Sequence, residues 1–229
     1  MDFGNLSTKY LGSAAANYES ERAGKKWQSE HAAVEQLLDH VKEGSRVLDI
    51  PVGTGRLIPY HKSRSFEVYG LDASADMLAE ARNYAVEMSL PIQLIQGDIR
   101  KIPFDDGFFD LVVCLRFLNW IDKHGVEQAM TELARVSRRH VLIGIRYLTP
   151  LADLGLRLSS PVRFGMRLIG FPQNRAHRWG LVYHDKDFIE NLFGTVGLEV
   201  VEARHVERRL DGTDYVFFLL RKADAGRAS

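Results

Sequence analysis

Three aspartates at the ends of apolar segments could bind a common ligand. Asp49 lies near the end of the first segment and is followed by the turn Gly53-Thr54-Gly55, Asp72 closes the second segment, and Asp98 closes the third. Glycines let a backbone approach a ligand closely, and the N–H groups at the start of a following helix favour a carboxylate or phosphate. A carboxylate 19 positions after Gly53 is placed to accept both hydroxyls of a ribose, and Asp98 could then accept from the exocyclic amine of adenine. These residues predict a nucleoside-containing ligand.

The elements that must position these aspartates alternate between helix and strand. Apolar residues at helical spacing predict helices over 29–41, 74–88, 126–136 and 185–196, with a shorter amphipathic stretch up to His61. Apolar runs of strand length predict strands over 46–50, 65–71, 91–96, 109–115, 141–145, 198–203 and 214–220. Ser74 is expected to cap the helix that follows the second strand.

This order predicts an α/β fold, a doubly wound and mostly parallel seven-stranded sheet with one antiparallel strand. A helical insertion is expected before the last helix. Ligands of such sheets bind beyond the carboxyl ends of the strands, which is where the three aspartates are predicted to lie.

Composition narrows the function classes. The 229 residues, 45% hydrophobic and 26% charged, are typical of one globular domain. Thirty Lys plus Arg balance thirty Asp plus Glu, so no whole-molecule field attracts nucleic acid, and nucleic acid is not an expected partner. Cys114 is the single cysteine, which excludes intrachain disulfides and multi-cysteine metal sites. Because no signal-peptide or membrane-spanning segment is evident, we expect a cytoplasmic protein.

Four segments carry a resemblance to a known family. They are VLDIPVGTGR (47–56), VYGLDAS (68–74), GDI (97–99), and PF (103–104) with FDLVVC (109–114). Together they resemble the motifs of the class I S-adenosylmethionine-dependent methyltransferases, which have a Rossmann-like fold. The resemblance is close over about 41–147 and looser over 184–222.

The resemblance implies S-adenosylmethionine as cofactor and S-adenosylhomocysteine as product. By that likeness, Gly53 and Gly55 would admit the methionine part, Asp72 would hold the ribose hydroxyls and Met77 would lie against adenine. The adenine edge would be read by Asp98 and the backbone of Ile99, and the backbone of Leu115 and Arg116 would face the sulfonium. The complete expected cofactor-binding set is Asp49, Pro51, Gly53, Thr54, Gly55, Arg56, Asp72, Ala73, Met77, Asp98, Ile99, Leu115 and Arg116, with Tyr18 and Arg22 from the N-terminal segment.

Family members commonly have glycine where this chain has Pro51. Proline removes a backbone N–H donor and stiffens the loop at that position.

Two alternatives remain beside an active methyltransferase. The dinucleotide-binding fingerprint of a nicotinamide-dependent oxidoreductase has a third glycine at the position that Ile58 occupies in this chain. The oxidoreductase alternative is therefore less favoured. A catalytically silent cofactor-binding regulatory subunit would carry the same motifs, and turnover would separate it from an enzyme.

Catalytic groups must be argued from position, because methyl transfer from a sulfonium needs mainly an in-line approach and exclusion of water. Arg116 and Asn119 follow the fourth strand and could orient a substrate oxygen or nitrogen. His184 with Tyr183 is the predicted general base near neutral pH. The alternative for His184 is a structural role beside the helix that begins at Asp185. No histidine-carboxylate spacing indicates a metal site.

Further predictions concern the positions of the remaining histidines and of two aromatic residues after the fourth strand. His124 and His177 are expected near the mouth of the ligand site, while Phe117 and Trp120 are expected mainly to pack against helices. The other histidines are expected to be solvated or structural: His31, His40, His61, His140 and His205.

Two segments outside the motifs are expected to complete the protein. Residues 1–44 are predicted to form a lid and a helix, with Tyr18, Arg22 and Trp27 over the cofactor, or alternatively a solvated amphipathic helix. Residues 45–229 are predicted to form the cofactor-binding domain, with a substrate-recognition insertion at 148–184. Within 151–184, five arginines stand against one aspartate among many large apolar residues. This composition favours a small-molecule substrate with an acidic or phosphate group, or peripheral contact with an anionic membrane, over arginines that merely cover the sheet.

Overall fold

The computed structural model describes residues 25–148, 181–208 and 213–223. The described helices are α1 (Lys25–Leu38), α2 (Ile58–Ser63), α3 (Ala75–Glu87), α4 (Lys123–Val136) and α5 (Lys186–Thr195), and a 3₁₀ turn covers Leu118–Trp120. The strands are β1 (Arg46–Asp49), β2 (Glu67–Asp72), β3 (Ile92–Gln96), β4 (Phe109–Cys114), β5 (Ser137–Leu148), β6 (Leu198–Arg208) and β7 (Thr213–Lys222).

The strands form one sheet in the order β3-β2-β1-β4-β5-β7-β6. Strands β1 to β5 pair in parallel, and β7 runs antiparallel to both β5 and β6. The predicted seven-stranded sheet with one antiparallel strand is therefore confirmed. Because the chain leaves β1 toward β2 on one side and returns to β4 on the other, a crevice opens at the carboxyl ends of β1 and β4.

Helices cover both faces of the sheet, which explains the apolar character of its central strands. Helices α1 and α2 pack on the face that carries Val47, Leu111 and Val113. Helices α4 and α5 pack on the other face, against residues such as Val112 and Ile143. The central strands are thus buried on both sides, as expected for parallel strands of a doubly wound sheet.

Polar residues that directly precede two of the helices cap their N-termini. Ser74 caps α3 as predicted, since its Oγ accepts the N–H of Met77 at 3.3 Å. Asp122 caps α4 by accepting the N–H of Gly125 at 2.9 Å, so that helix begins three residues before the predicted start.

The last strands are longer than predicted because pairing extends beyond their apolar centres. The prediction for β5 was 141–145, but β5 begins at Ser137 beside β4 and stays paired with β7 as far as Leu148. The prediction for β6 was 198–203, whereas this edge strand reaches Arg208 and carries polar residues that face solvent. The expected turn around 211–212, and the insertion apart from its two ends, lie outside the described residues.

Gly144 of β5 leaves room for two aromatic side chains of the neighbouring strand β7. A Cβ atom there would lie 2.8 Å from Cε1 of Phe217 and 2.9 Å from the hydroxyl oxygen of Tyr215, and both rings are buried. We therefore expect Gly144→Ala to lower the free energy of unfolding by about 1–3 kcal/mol, the scale of overpacking in a core. Urea unfolding monitored by circular dichroism measures this change.

The matched control is Gly194→Ala in α5, where an added Cβ meets nothing within 4 Å. Because alanine favours a helix over glycine, this variant should be as stable as the wild type or more stable. Equal destabilisation by both substitutions would contradict the packing account of Gly144.

Candidate ligand-binding cleft

A cleft opens at the carboxyl ends of β1 to β4. Most of the predicted cofactor-binding residues line it: Asp49, Pro51, Gly53, Thr54, Arg56, Asp72, Ala73, Met77, Asp98, Ile99, Leu115 and Arg116. The lining also includes Phe117 and Trp120, which were expected mainly to pack against helices. Tyr18 and Arg22 lie outside the described residues, as does the side chain of Trp27.

Asp72 joins two sides of the cleft. Its Oδ2 accepts the N–H of Gly53 at 2.9 Å, and its Oδ1 accepts the N–H of Ser74 at 2.9 Å. The carboxyl is buried, and this burial raises its pKa, while the two N–H donors act in the opposite direction. A carboxylate has about four lone-pair sites, so Asp72 keeps acceptor capacity for a ligand in the cleft.

The two glycines of the turn have different surroundings. Gly53 has a φ of 57°, and a Cβ there would meet nothing within 4 Å. Gly55 has a φ of 84° and does not line the cleft, since a Cβ there would lie 2.5 Å from Cδ1 of Ile58. The expectation that Gly55 admits the ligand therefore needs correction, because its missing side chain makes room for Ile58 of α2.

The carboxylate of Asp49 is in hydrogen-bond contact with a buried histidine, His61. Its Oδ2 lies 3.3 Å from Nε2 of His61, which is completely buried. Nδ1 of His61 has no hydrogen-bond partner in the part of the chain that the structure describes. Because a carboxylate oxygen accepts, we assign Nε2 of His61 as the donor to Asp49. His61 has a structural role here, one of the two roles expected for it.

Asp98, at the end of β3, is held by the residue two positions later. Its carboxylate accepts from Nε of Arg100 at 3.0 Å and from the backbone N–H of Arg100 at 2.8 Å. The hydrogen bonds from the Arg100 side chain lower the pKa of Asp98, so this carboxyl is ionised at neutral pH. Met77 and Ile99 are both buried and provide an apolar wall nearby in the lining.

A buried glutamate links two arginines of the cleft. Glu30 of α1 has no exposed surface, and its Oε2 accepts from Nη1 of Arg56 at 2.7 Å. Its Oε1 lies 3.3 Å from Nη1 of Arg116. The sequence analysis did not identify Glu30. A signal was present, because Glu30 precedes Val34 by four positions and Leu37 by seven and therefore lies on the apolar stripe of α1.

Arg116 is the predicted catalytic residue that the structure places in the cleft. Its backbone has a φ of 62°, a left-handed conformation that is uncommon for any residue other than glycine. Its side chain is 30% exposed, and its Nη1 lies 3.3 Å from Oε1 of Glu30.

Asn119 is a structural clamp in this fold. Its Nδ2 donates to the carbonyl oxygens of Arg146 and Val182 at 2.6 and 2.7 Å, and its Oδ1 accepts the N–H of Arg146 at 2.7 Å. Both amide hydrogens are engaged, and Asn119 does not line the cleft. The structure therefore does not bring Asn119 to a position where it could orient a substrate.

His184 and Tyr183, the predicted general base and its neighbour, are also away from the lining of the cleft. Both are buried, and Nε2 of His184 lies 3.1 Å from the carbonyl oxygen of Leu118. Burial lowers the pKa of His184. This geometry agrees with a structural role for His184 beside the helix at Asp185, and the contact itself joins the segment before α5 to the 3₁₀ turn after β4.

Other candidate groups lie apart from the cleft. His124 is exposed in the first turn of α4, 3.7 Å from Glu127, and His177 lies outside the described residues. Cys114 is completely buried, and burial raises the pKa of its thiol. Within 25–148, 181–208 and 213–223 there is no cluster of three His, Cys, Asp or Glu that could hold a metal ion. Among the helices of these same ranges, none is long and apolar enough to cross a membrane.

Comparison with known proteins adds independent information. Residues 47–140 match the family model described as a methyltransferase domain. Phosphatidylethanolamine N-methyltransferase of Cereibacter sphaeroides is 40% identical over 98 residues, which cover 42% of this chain and 47% of that protein. Demethylmenaquinone methyltransferase of Thermus thermophilus is 39% identical over 98 residues, which cover 42% and 43%. The chain thus matches less than half the length of either relative.

The same fold occurs in a solved structure. Magnesium protoporphyrin IX methyltransferase of Synechocystis PCC 6803, crystallised with bound SAH, superposes with a TM-score of 0.73 at 16% identity. The superposition covers 97% of this chain and 100% of that one. At this identity the likeness shows the shared fold, a Rossmann-like sheet with its antiparallel strand.

The structural role of His184 predicts a pH dependence of stability. Because burial lowers its folded-state pKa, the unfolded chain takes up the proton first as the pH falls below about 6.5. The free energy of unfolding should therefore decrease between about pH 6.5 and the lower folded-state pKa. His184→Gln keeps a donor for the carbonyl of Leu118 and cannot be protonated, so urea unfolding of this variant should decrease less over the same range.

His124→Gln is the control, since His124 is exposed and its removal should leave the pH dependence unchanged. A His184→Gln variant with the same pH dependence as the wild type would contradict this account.

Proposed function

We propose that this chain is an S-adenosylmethionine-dependent methyltransferase, since residues 47–140 match the family model described as a methyltransferase domain. Its acceptor is an oxygen or nitrogen atom of a small molecule. The proposal concerns both the cofactor and the transfer, and it is carried by one feature of the cleft.

That feature is the spatial order of the polar groups along the strand ends. The sheet order β3-β2-β1-β4 gives the sequence Asp98, Asp72, Asp49 and Arg116 across the cleft. This order corresponds to adenine, ribose, the amino acid part and the reacting methyl group of S-adenosylmethionine. Asp72 supplies acceptors for two hydroxyls, and Asp49 supplies an acceptor for the ammonium group.

The residues at the β4 end determine what can reach the methyl group. S-adenosylmethionine supplies an electrophilic methyl group on a sulfonium when it is bound. Leu115, Phe117 and Trp120 present apolar surface at this end of the cleft, which excludes water from an in-line approach. Arg116 is the charged group beside them and orients an acceptor that carries an oxygen or an acidic group.

One observation bears on the alternatives. Ile58 is completely buried under Gly55, at the position where a dinucleotide fingerprint would have its third glycine, and this disfavours a nicotinamide-dependent oxidoreductase. A catalytically silent cofactor-binding subunit shares the same cleft, and it would bind S-adenosylmethionine without turnover.

For the substrate, we propose a small molecule with an acidic or phosphate group and a large apolar remainder. The relatives named above act on phosphatidylethanolamine and demethylmenaquinone by their names, which supports a large and partly apolar acceptor. The arginine-rich insertion at 148–184 would recognise it or contact an anionic membrane, and the N-terminal segment would cover the cofactor. Residues 1–24 of the N-terminal segment and 149–180 of the insertion lie outside the described residues.

Removal of the Asp72 carboxylate should weaken cofactor binding. Calorimetric titration with S-adenosylmethionine should give a dissociation constant raised by the equivalent of about 1–3 kcal/mol in Asp72→Ala, since two hydroxyls and two N–H groups lose their acceptor. Glu80→Ala removes an exposed carboxylate from α3, the helix that follows Asp72, and should leave binding unchanged. A folded wild-type protein without measurable binding would overturn the proposed function.

Binding should also depend on pH through the same carboxyl. Burial places the pKa of Asp72 above its ordinary value, so protonation removes an acceptor from the cleft at a pH where exposed aspartates are still ionised. The affinity of the wild type for S-adenosylhomocysteine should therefore fall as the pH is lowered from 7.5 toward 5. Asp72→Asn should bind more weakly and show a flatter pH profile, and an equally steep profile would contradict the assignment to Asp72.

A further inference from the structure

Asp98 differs from the other two aspartates of the cleft in the origin of its hydrogen bonds. Asp72 accepts backbone N–H groups from two loops, and Asp49 contacts a buried histidine. The side chain of Asp98 is 40% exposed, and within the part of the chain that the structure describes Arg100 supplies every hydrogen bond that its carboxylate accepts. Because an exposed side chain can adopt several rotamers, the contact with Arg100 decides how Asp98 meets a ligand.

We infer that Arg100 is a positioning residue, which sets the carboxylate of Asp98 to accept an N–H of the exocyclic amine of adenine and so determines the base selectivity of the cleft. This inference rests on the proposed function. Asp98 lines the cleft and Arg100 does not, so Arg100 acts through Asp98.

The backbone at Asp98 is held without the side chain of Arg100. The N–H of Lys101 donates to the carbonyl oxygen of Asp98 at 3.0 Å, which closes a turn at this point. The N–H of Gly97 donates to the carbonyl oxygen of Asp72 at 3.0 Å, which ties the end of β3 to the end of β2. The backbone therefore fixes where the Asp98 side chain begins, and the contacts of the carboxylate fix its direction.

Arg100 holds the carboxylate of Asp98 through three donor groups. Its backbone N–H donates to Oδ1 at 2.8 Å, its Nε lies 3.0 Å from both oxygens, and its Nη2 donates to Oδ2. A guanidinium that contacts both oxygens of a carboxylate also fixes the plane of that group, which a single backbone N–H does not do. The side chain of Arg100 thus adds orientation beyond the backbone hydrogen bond.

These contacts leave acceptor capacity on Asp98. A carboxylate has about four lone-pair sites, and the three N–H groups of Arg100 use three of them. The remaining site suits one N–H group of a ligand, because Asp98 lines the cleft beside the apolar residues Met77 and Ile99. An adenine between these apolar side chains has its exocyclic amine as the donor at its edge, and a purine without that amine has no such donor.

A purely local role for Arg100 would make a different prediction. An ion pair between two exposed side chains contributes little to stability, and Arg100 would then only neutralise Asp98 at the surface. Loss of Arg100 would in that case affect purines with and without the amine alike. A pair of ligands that differ only in the exocyclic amine separates the two roles.

The experiment compares S-adenosylhomocysteine with its analogue in which hydrogen replaces the exocyclic amine, by calorimetric titration. The wild type should bind S-adenosylhomocysteine about 10-fold more tightly than the analogue, the scale of one hydrogen bond to a charged group. In Arg100→Ala this ratio should fall below about 3-fold, because the carboxylate is no longer held in the direction of the amine. The affinity for the analogue should change by less than about 2-fold, within the scatter of a site that is left intact.

The matched control is Lys101→Ala, which removes the same charge from an exposed side chain one position later in the same turn. It should keep the wild-type ratio. Circular dichroism checks that both variants fold, which is expected because the side chain of Arg100 is 36% exposed.

Several outcomes would overturn the inference. An unchanged ratio in Arg100→Ala would do so, as would an equal loss of affinity for both ligands. Tighter binding of S-adenosylhomocysteine by Arg100→Ala would also do so, because Arg100 would then compete with the amine for Asp98. If the wild type binds both ligands equally, the proposed function stands and the inference fails. If the wild type binds neither ligand, the proposed function fails and the inference fails with it.

Two further variants test whether Arg100 acts through Asp98 and through its geometry. When Asp98→Ala is already present, adding Arg100→Ala should change the affinity for S-adenosylhomocysteine by less than about 2-fold, since no carboxylate is left to position. Arg100→Lys keeps the charge but cannot contact both oxygens in the same plane, so its ratio should also fall below about 3-fold. A further large loss in the double variant, or a wild-type ratio in Arg100→Lys, would overturn the inference.

Discussion

The carboxylate of Asp72 holds the cleft together. It accepts one N–H from the turn after β1 and one from the start of α3, so two loops that are far apart in the sequence share one acceptor. Burial of this carboxylate is unfavourable by itself, and the two charge-assisted hydrogen bonds offset that term. The hydrogen bond from the Gly53 N–H to Asp72 holds the backbone of this turn, so the turn keeps its shape on the side that faces a ligand. The remaining lone pairs of Asp72 then face a cleft whose shape is already set.

Remaining hydrogen-bonding capacity distinguishes the groups that can bind a ligand from those that cannot. Asp72 keeps acceptor sites that its two backbone donors do not use. Asn119, by contrast, uses both amide hydrogens and its oxygen on backbone groups of β5 and residue 182. His184 is similarly directed at the carbonyl of Leu118. Residues of the expected chemical type therefore serve to join β5 and the segment before α5 to the turn that follows β4.

The sequence predicted the sheet and the three carboxylates because both depend on local patterns. Apolar runs mark buried parallel strands, and Asp49, Asp72 and Asp98 stand at their ends. The extent of β5 and β6 was missed because it depends on which strand lies beside them. Gly55 was placed in the cleft because its type suits a ligand turn, whereas its neighbour Ile58 decides its role. Glu30 was missed because its partners lie 26 and 86 positions away in the sequence.

The parallel pairing of the central strands also has a consequence for folding. The polar groups of the cleft come from four separate strand ends, and each parallel pair is joined by a long crossover rather than by a tight hairpin. Such non-local contacts form slowly, and no early fragment of the chain can contain the assembled cleft. A molecule that occupies the cleft therefore binds the native state and not the unfolded chain, and it stabilises the whole domain by mass action. In the cell, the resistance of this chain to unfolding and proteolysis would then follow the concentration of its ligand.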